Sequence, residues 1–240
     1  CMIYYDGNNK EMKMYTRGDE GIGGDISKIY EYIGSYDSIK NIEKYKGKQN
    51  IIAIRGELVM SKENFKKYKE TFKNARNTIS GLINSKTFDE KLITMLKDVD
   101  FVAHEVINPW LQSDLQMKLI EKLGLKCVNY IVKESIDDAY LTEYLNDRML
   151  NCDYEIDGII VTDTGNHIRN IEDNPDYSFA YKIDGKPISV EVVDVLWKPS
   201  KDKLLIPRIK IIPTFIEGTT VTYTTGFNAK FIVDNKIGPG

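Results

Sequence analysis

The sequence predicts an α+β protein in which antiparallel strands with flanking helices are followed by a partial β-barrel. Three observations support this class. The stretch 153–162 is apolar and β-branched in its second half, which is typical of a strand inside a sheet. Helical segments such as 112–123, ended by Gly124, lie between the strand-like ones. From about residue 188, short alternating segments separated by turns give the pattern of a small barrel.

The composition is that of an ordinary globular protein, because 42% of the 240 residues are hydrophobic and 29% are charged. No run of about 18 apolar residues is present, so we expect no membrane span. The net charge of −3 gives no overall basic surface, so nucleic-acid contacts would have to come from local patches. Cys1, Cys127 and Cys152 are far apart and odd in number, which indicates a reducing compartment. We expect an intracellular protein, and a monomer.

The elements can be assigned in order along the chain. Residues 2–5 and 11–16 predict a hairpin with the turn Asp6-Gly7-Asn8-Asn9. Ser61 is expected to cap a short helix. The remaining predictions are strands at 50–59, 99–107, 154–162 and 178–183 and helices at 88–97, 112–123 and 136–150. The result is a mixed fold with the acidic stretch 153–162 at its centre.

Acidic residues occupy two of these apolar strands. Glu155 and Asp157 lie two apart, so a strand would place them on one side, where they need a cation or a hydroxyl partner. The alternative is a solvated edge strand. Glu57, in Arg55-Gly56-Glu57, could hold a ribose hydroxyl or a metal, and the alternative is a charge pair near Arg55. These carboxylates are the first candidate site residues.

Basic residues supply the second set of candidates. Arg17 lies in a glycine-rich loop, Thr16 to Asp25, that could approach a phosphate, although a flexible turn explains the same pattern. Lys182 follows apolar residues in 178–183, so we expect an anionic partner for it. Arg76 is the notable member of Asn74 to Thr78. Four lysines near residue 70 form either a solvated helix face or a DNA-backbone patch; they are Lys66, Lys67, Lys69 and Lys73.

Five motifs in this order resemble the NAD-dependent DNA ligases of bacteria and some viruses. They are Thr16-Arg17-Gly18-Asp19 with Gly24-Asp25-Ile26, Arg55-Gly56-Glu57, Asn74-Ala75-Arg76-Asn77, Glu155-Ile156-Asp157-Gly158-Ile159-Ile160-Val161, and Ala180-Tyr181-Lys182. The tail resembles the start of that family's OB domain, with markers at Leu205-Ile206-Pro207, Phe215-Ile216-Glu217-Gly218 and Thr224 to Asn228. The resemblance implies a nucleotidyltransferase domain of the ligase and mRNA-capping type at 1–186 and a partial OB fold at 187–240.

The resemblance also implies the chemistry. In this family a lysine attacks the α-phosphorus of NAD and holds AMP, the AMP passes to the 5′-phosphate of nicked duplex DNA, and the 3′-hydroxyl displaces it, with Mg²⁺ neutralising charge. Carried over by motif, Glu57 would hold the ribose, and Asp157 would serve the metal or orient the lysine. Lys182 would contact the α-phosphate, and His104 would stack on the adenine. Arg17 and Arg76 would contact the nucleotide or the nick phosphate. Glu57 is a second candidate metal ligand. Without the resemblance, a single histidine in a strand is more typical of a structural residue than of a ligand, so the sequence alone favours a structural role for His104.

Several positions depart from the family pattern. The nucleophilic lysine belongs to a Lys-x-Asp-Gly motif expected just before Met2, and it is not in this sequence. Thr162 and Asn84 stand at positions that are usually basic, and Phe227 replaces a histidine. We expect an excerpt of a larger ligase. The alternatives are an ATP-dependent ligase or other lysine nucleotidyltransferase, and a degenerate, non-catalytic nucleic-acid-binding module.

Overall fold

The computed structural model describes residues 1–18, 22–47, 50–168, 175–183, 188–201, 203–216 and 219–240. The chain divides into two compact units, Cys1–Ile183 and Asp184–Gly240. Asp19 of the glycine-rich loop, the predicted boundary at 186/187 and Glu217-Gly218 of the second OB marker lie outside the described residues. In the part of the chain that is described, no helix is long and apolar enough to cross a membrane.

A four-stranded antiparallel sheet forms the centre of the first unit. Its strands are β1 (Met2–Asp6), β2 (Glu11–Tyr15), β3 (Ile51–Met60) and β4 (Val99–Asn108), in the order β2-β1-β3-β4. The predicted hairpin is confirmed, since Met2 pairs with Tyr15 and Asp6 with Glu11. In β3, Ile52 and Ile54 are buried on one face while Arg55 and Glu57 are exposed on the other. The sheet therefore has a core face and an open face.

The first unit also contains six α-helices among its described residues, and side-chain caps begin several of them. They are α1 (Tyr36–Lys40), α2 (Lys62–Phe65), α3 (Ala75–Ile83), α4 (Glu90–Leu96), α5 (Ser113–Lys122) and α6 (Asp138–Asn151), with 3₁₀ turns at Ser27–Ile29 and Asn41–Lys44. The predicted cap at Ser61 is confirmed, because its hydroxyl accepts from the Asn64 N–H. Asn74 caps α3 in the same way through Asn77. The cap fixes the start of α3 at Ala75, one residue before Arg76.

The edge of β4 is covered by two short segments. The Gly34 N–H donates to the Val99 carbonyl at 2.8 Å. Farther along the same strand, Ala103 exchanges backbone hydrogen bonds with Lys126 and Val128 at 2.8 and 3.0 Å. These contacts satisfy backbone groups that an open edge would leave unpaired. They also bring residues near 126 against β4, next to the candidate site.

A second sheet of two antiparallel strands carries the acidic motif. The strands are β5 (Ile159–Thr162) and β6 (Ser178–Tyr181). The prediction of a strand from 154 is wrong, because residues 152–158 form no regular structure, so Glu155 and Asp157 do not share a strand face. The prediction of a buried strand is also wrong at Ile160, which is 70% exposed. A strand does form in this apolar stretch, but it begins only at Ile159.

The second unit is a three-stranded antiparallel sheet with one helix. It contains β7 (Val192–Pro199), β8 (Leu205–Ile216), β9 (Thr219–Thr225) and α7 (Ala229–Asp234), with the strands in the order β7-β8-β9. Ile209, Ile211 and Ile232 form its small core. The predicted antiparallel strands are confirmed. Helix α7 was not predicted, although Asn228 caps it through the Phe231 N–H.

Candidate active site

The open face of β3 presents a carboxylate next to an ion pair. Arg55 donates to Glu105 on β4 at 2.7 Å. Arg55 is thereby paired with Glu105, and the side chain of Glu57 forms no ion pair with any residue that the structure describes. The alternative of a charge pair for Glu57 near Arg55 is therefore not found within the described ranges of the chain. As far as those residues go, the Glu57 carboxylate can accept a hydrogen bond from a ligand hydroxyl.

A β-bulge places His104 beside this carboxylate. Arg55 pairs with Glu105 and Gly56 with Ala103, so His104 is the extra residue between them. Burial lowers the pKa of His104 below its usual range, although the carboxylates of Glu105 and Glu57 oppose the shift. The imidazole is therefore neutral near pH 7. A neutral, half-buried ring on an open sheet face can stack on a flat ligand.

The tight contact behind Gly56 explains why a glycine stands at this bulge. A Cβ there would lie 2.6 Å from both the Phe101 ring and the Val102 carbonyl oxygen. Phe101 is fully buried and has no room to move. The glycine of the Arg-Gly-Glu motif thus lets β3 lie directly on the core while its two charged neighbours face outward.

Arg17 lies at the same end of the sheet. The nitrogen of Cys1 donates to the Gly56 carbonyl at 2.8 Å, and Glu57, Arg55 and Arg17 all act electrostatically on that nitrogen. Arg17 is exposed and is followed by Gly18, whose φ of +71° favours glycine. Arg17 and Glu57 therefore share the Cys1 nitrogen as a neighbour.

A second cluster forms around Asp157. The Lys182 ammonium donates to the Asp157 carboxylate at 2.8 Å, which confirms the expected anionic partner of this lysine. Lys182 lies just after β6 and is 55% exposed, so the expected apolar surroundings are wrong. The hydrogen bond from Lys182 lowers the pKa of Asp157, partial burial opposes this, and the charge of Arg76 adds to the lowering. Arg76, Asp157 and Lys182 therefore form one electrostatic group.

The fold does not bring the predicted residues into a single hydrogen-bonded cluster. Among the described residues, no hydrogen bond or ion pair joins Glu57 or His104 to the group of Asp157 and Lys182. Within the same residues, no group of three or more His, Cys, Asp or Glu could hold a metal ion. The candidate residues therefore fall into two groups, with Glu57 and His104 on the open sheet face and Asp157, Lys182 and Arg76 in a separate charged group.

A protein-family comparison decides the identity of this unit. The family model for the NAD-dependent DNA ligase adenylation domain matches residues 1–186. The chain belongs to this family. The match confirms the resemblance drawn from the five motifs, and it covers both charged groups of the adenylation domain.

Curated relatives extend the match into the second unit. The DNA ligase of Acanthamoeba polyphaga mimivirus is 45% identical over 97% of this chain. Putative DNA ligase 205R of Invertebrate iridescent virus 6 is 34% identical over 100% of it, and the DNA ligase of Clostridioides difficile (strain 630) is 30% identical over 96%. The chain spans 36%, 39% and 36% of these three relatives' lengths.

Two positions of the adenylation domain that depart from the family pattern have local partners. The Thr162 hydroxyl lies 2.8 Å from that of Ser178, which itself donates to the Val161 carbonyl at 3.1 Å. The pair cross-links β5 and β6. Asn84 ends α3, and its side-chain amide donates to the Ser80 carbonyl at 2.9 Å. Neither residue supplies the positive charge usual at its position.

Two of the four lysines near residue 70 are engaged in ion pairs. Lys66 contacts Glu63 at 2.6 Å, and Lys67 contacts Asp98 at 2.8 Å. The predicted helix face is wrong at these two positions, because α2 ends at Phe65 and both lysines lie in the turn after it. Their pairing favours a solvated, ion-paired surface over a DNA-backbone patch there.

The sequence did not point to the Arg55–Glu105 pair. The two residues are 50 apart, and the register of β3 against β4 was needed to bring them together.

Proposed function

We propose that the chain is the adenylation domain and the start of the OB domain of an NAD-dependent DNA ligase that seals nicks in duplex DNA. The observation that carries this is the Lys182–Asp157 contact, with Arg76 nearby, in a chain of this family. Phosphoryl transfer needs positioning and neutralisation of charge, and this group offers both signs of charge at one place. We also propose that the protein acts as a monomer inside the cell.

The first step forms the enzyme–AMP intermediate. A lysine of a Lys-x-Asp-Gly motif upstream of Cys1 loses its proton and attacks the α-phosphorus of NAD, so that a P–N bond forms and nicotinamide mononucleotide leaves. Cys1 pairs with Gly56, so a strand continuing upstream would pass Glu57. This geometry supports a nucleophile next to the proposed ribose site.

Residues of this chain bind the nucleotide and stabilise the charge that develops during the reaction. Glu57 accepts from the ribose hydroxyls, and His104 stacks on the adenine. Lys182 stabilises the charge that develops on the α-phosphate oxygens. Asp157 orients the amine of the nucleophilic lysine. Arg17 and Arg76 contact the nucleotide or the nick phosphate. The AMP then passes to the 5′-phosphate, and the 3′-hydroxyl displaces it to join the strands.

Magnesium fits the donor set, although no metal cluster is present among the described residues. Mg²⁺ is usually held by one or two carboxylates together with substrate phosphates and water. Glu57 in one group and Asp157 in the other are the two candidate carboxylates, and either would hold the ion together with substrate phosphates and water. When bound, it would neutralise negative charge on the phosphate oxygens.

The second unit supports the DNA-binding part of the proposal. A groove of about 420 Å³ there is lined by Lys198, Ile206, Arg208, Tyr223 and five further residues of β7 to β9 and the turn after β7. The Arg208 guanidinium lies over the Tyr223 ring at 4.4 Å. Basic groups beside an aromatic face are suited to a nucleic-acid strand. The three antiparallel strands support the proposed partial OB fold.

Nick sealing by the full-length protein tests the proposal. We expect a labelled nicked duplex to be joined with NAD and Mg²⁺ and not with ATP. We also expect nick affinity to fall steeply as salt rises, because phosphate contacts release counterions. Joining with ATP alone would make this an ATP-dependent ligase. Nick binding without joining by either nucleotide would favour the non-catalytic module.

A further inference from the structure

A polar cluster outside both charged groups joins distant parts of the adenylation domain. At its centre is Asp100 on β4, whose side chain is only 16% exposed. One carboxylate oxygen accepts from the Ser35 hydroxyl at 3.1 Å. The other accepts from the Tyr154 hydroxyl at 2.7 Å and from the Lys126 ammonium at 2.8 Å. A partly buried carboxylate with three donors is well satisfied and hence firmly held.

The protons of this cluster have definite positions at neutral pH. The Tyr154 hydroxyl donates its one hydrogen bond to Asp100, and the same oxygen accepts a hydrogen bond from Lys126 at 3.0 Å. Burial raises the pKa of Tyr154, so the phenol stays neutral and remains a donor. Burial alone would lower the pKa of Lys126, but the hydrogen bonds to Asp100 and Tyr154 outweigh it, so the lysine stays charged. Every donor therefore faces an acceptor.

Tyr154 belongs to the irregular segment that leads to Asp157. A second anchor lies one residue earlier, where the Asp153 carbonyl accepts from the Lys62 N–H at 2.7 Å. The Lys62 ammonium also donates to the Met149 carbonyl at the end of α6, at 3.1 Å. The chain from α6 to Tyr154 is thus fixed to the start of α2 and to β4.

Beyond Tyr154 the next support of the segment is the pairing of β5 with β6, which begins at Ile159. Residues 155–158 have no regular structure. Asp157 is 79% exposed, and its partner Lys182 is 55% exposed. Exposed ion pairs contribute little to fixing a segment in place. The position of Asp157 therefore depends on two supports, the Tyr154 tether three residues earlier and the start of β5 two residues later.

We propose that Tyr154 is a positioning residue for the ligase reaction, which acts by hydrogen-bonding Asp100 and so fixing the segment that carries Asp157. This role rests on the proposed function. Glu57 and His104 lie on β3 and β4 rather than on this segment. Loosening the tether should therefore slow the chemical step while leaving NAD binding intact. A displacement of about 1 Å can cost about 100-fold in rate.

The Tyr154→Phe variant tests the proposal, because it removes the hydroxyl and keeps the ring. The matched control is Tyr144→Phe, whose hydroxyl donates to Asn129 at 2.8 Å on the surface of α6. In the full-length protein we expect Tyr154→Phe to lower the single-turnover adenylation rate about 10- to 100-fold, with an unchanged KM for NAD. Tyr144→Phe should match the wild type. Hydrogen exchange of the chain without NAD should quicken at residues 155–158 only in Tyr154→Phe.

The outcomes separate this proposal from the proposed function. A wild-type protein that is not adenylated would overturn the proposed function and, with it, the role of Tyr154. An active wild type with equal rates in both variants would overturn the tether alone. A rise in the KM for NAD without a loss of rate would also overturn it. Asp100→Asn, which keeps an acceptor oxygen but removes the charge, should give a smaller loss of rate with the same unchanged KM. Rate loss accompanied by exchange that quickens across the whole domain would indicate a general loss of structure and contradict the proposal.

Discussion

Replacing Gly158 by alanine should push β5 and β6 apart where Lys182 reaches Asp157. A Cβ at this position would lie 2.8 Å from Lys182 Cγ and 2.8 Å from the Tyr181 carbonyl oxygen. The lysine side chain can rotate away, but the carbonyl belongs to the backbone of β6. The substitution therefore has to move a strand, and it moves the one from which Lys182 extends.

The expected size of the effect follows from this contact. Adding a methyl group to a filled space costs about 1–3 kcal/mol of unfolding free energy. For a chain of this size, each kcal/mol lowers the melting temperature by about 2–4 °C. We therefore expect Gly158→Ala to melt about 2–12 °C below the wild type. Since Lys182 moves away from Asp157, adenylation of the full-length protein should also slow by about tenfold or more.

Gly81→Ala is the matched control. Gly81 lies inside α3, and a Cβ there would meet no atom within 4 Å. Alanine in a helix interior is favoured over glycine by about 0.5–1 kcal/mol, so this variant should melt slightly above the wild type. Differential scanning calorimetry and single-turnover adenylation measure both effects. A Gly158→Ala variant as stable and as active as Gly81→Ala would refute the close packing of β5 on β6.

Three further predictions concern the same sheet. Asp157→Asn should change the melting temperature by less than about 4 °C in calorimetry, because exposed ion pairs contribute about 0–1 kcal/mol to stability. The same variant should slow adenylation by about 100-fold or more in rapid-quench measurements. Lys182→Ala should raise the pKa of Asp157 in an NMR titration, because Lys182 stabilises the carboxylate. In the wild type this stabilisation is complete above the ordinary aspartate pKa and is lost as pH falls through the lowered one. Thr162→Val should cost about 0.5–1.5 kcal/mol in denaturant unfolding, since it removes one hydrogen bond to Ser178.

Strands with a regular local pattern were predictable from sequence alone. The apolar residues of 50–59 identified β3 as a strand, whereas its open face became visible only in the structure, where Ile52 and Ile54 are buried and Glu57 is exposed. The hairpin of β1 and β2 was readable from its turn. In these cases the local pattern and the tertiary environment favour the same structure.

The acidic segment was not predictable, because distant residues decide its structure. Tyr154 is held by Asp100, 54 residues away, and Asp153 by Lys62. These contacts keep the chain irregular up to Gly158, although its composition resembles a strand. The bulge at His104 depends in the same way on the pairing of β3 with β4. Residue type nevertheless predicted that Lys182 would have an anionic partner, and the pairing of β5 with β6 identified that partner as Asp157.

The most direct test of the account is the intact mass of the protein, extended upstream through its lysine motif, after incubation with Mg²⁺ and either NAD or ATP. The account predicts a gain of one AMP with NAD and none with ATP. It further predicts that the gain is lost in Glu57→Gln and Asp157→Asn variants that remain folded. A gain with ATP alone would contradict NAD dependence. No gain with either nucleotide, in a folded chain that contains the lysine, would contradict the central claim that this domain is adenylated.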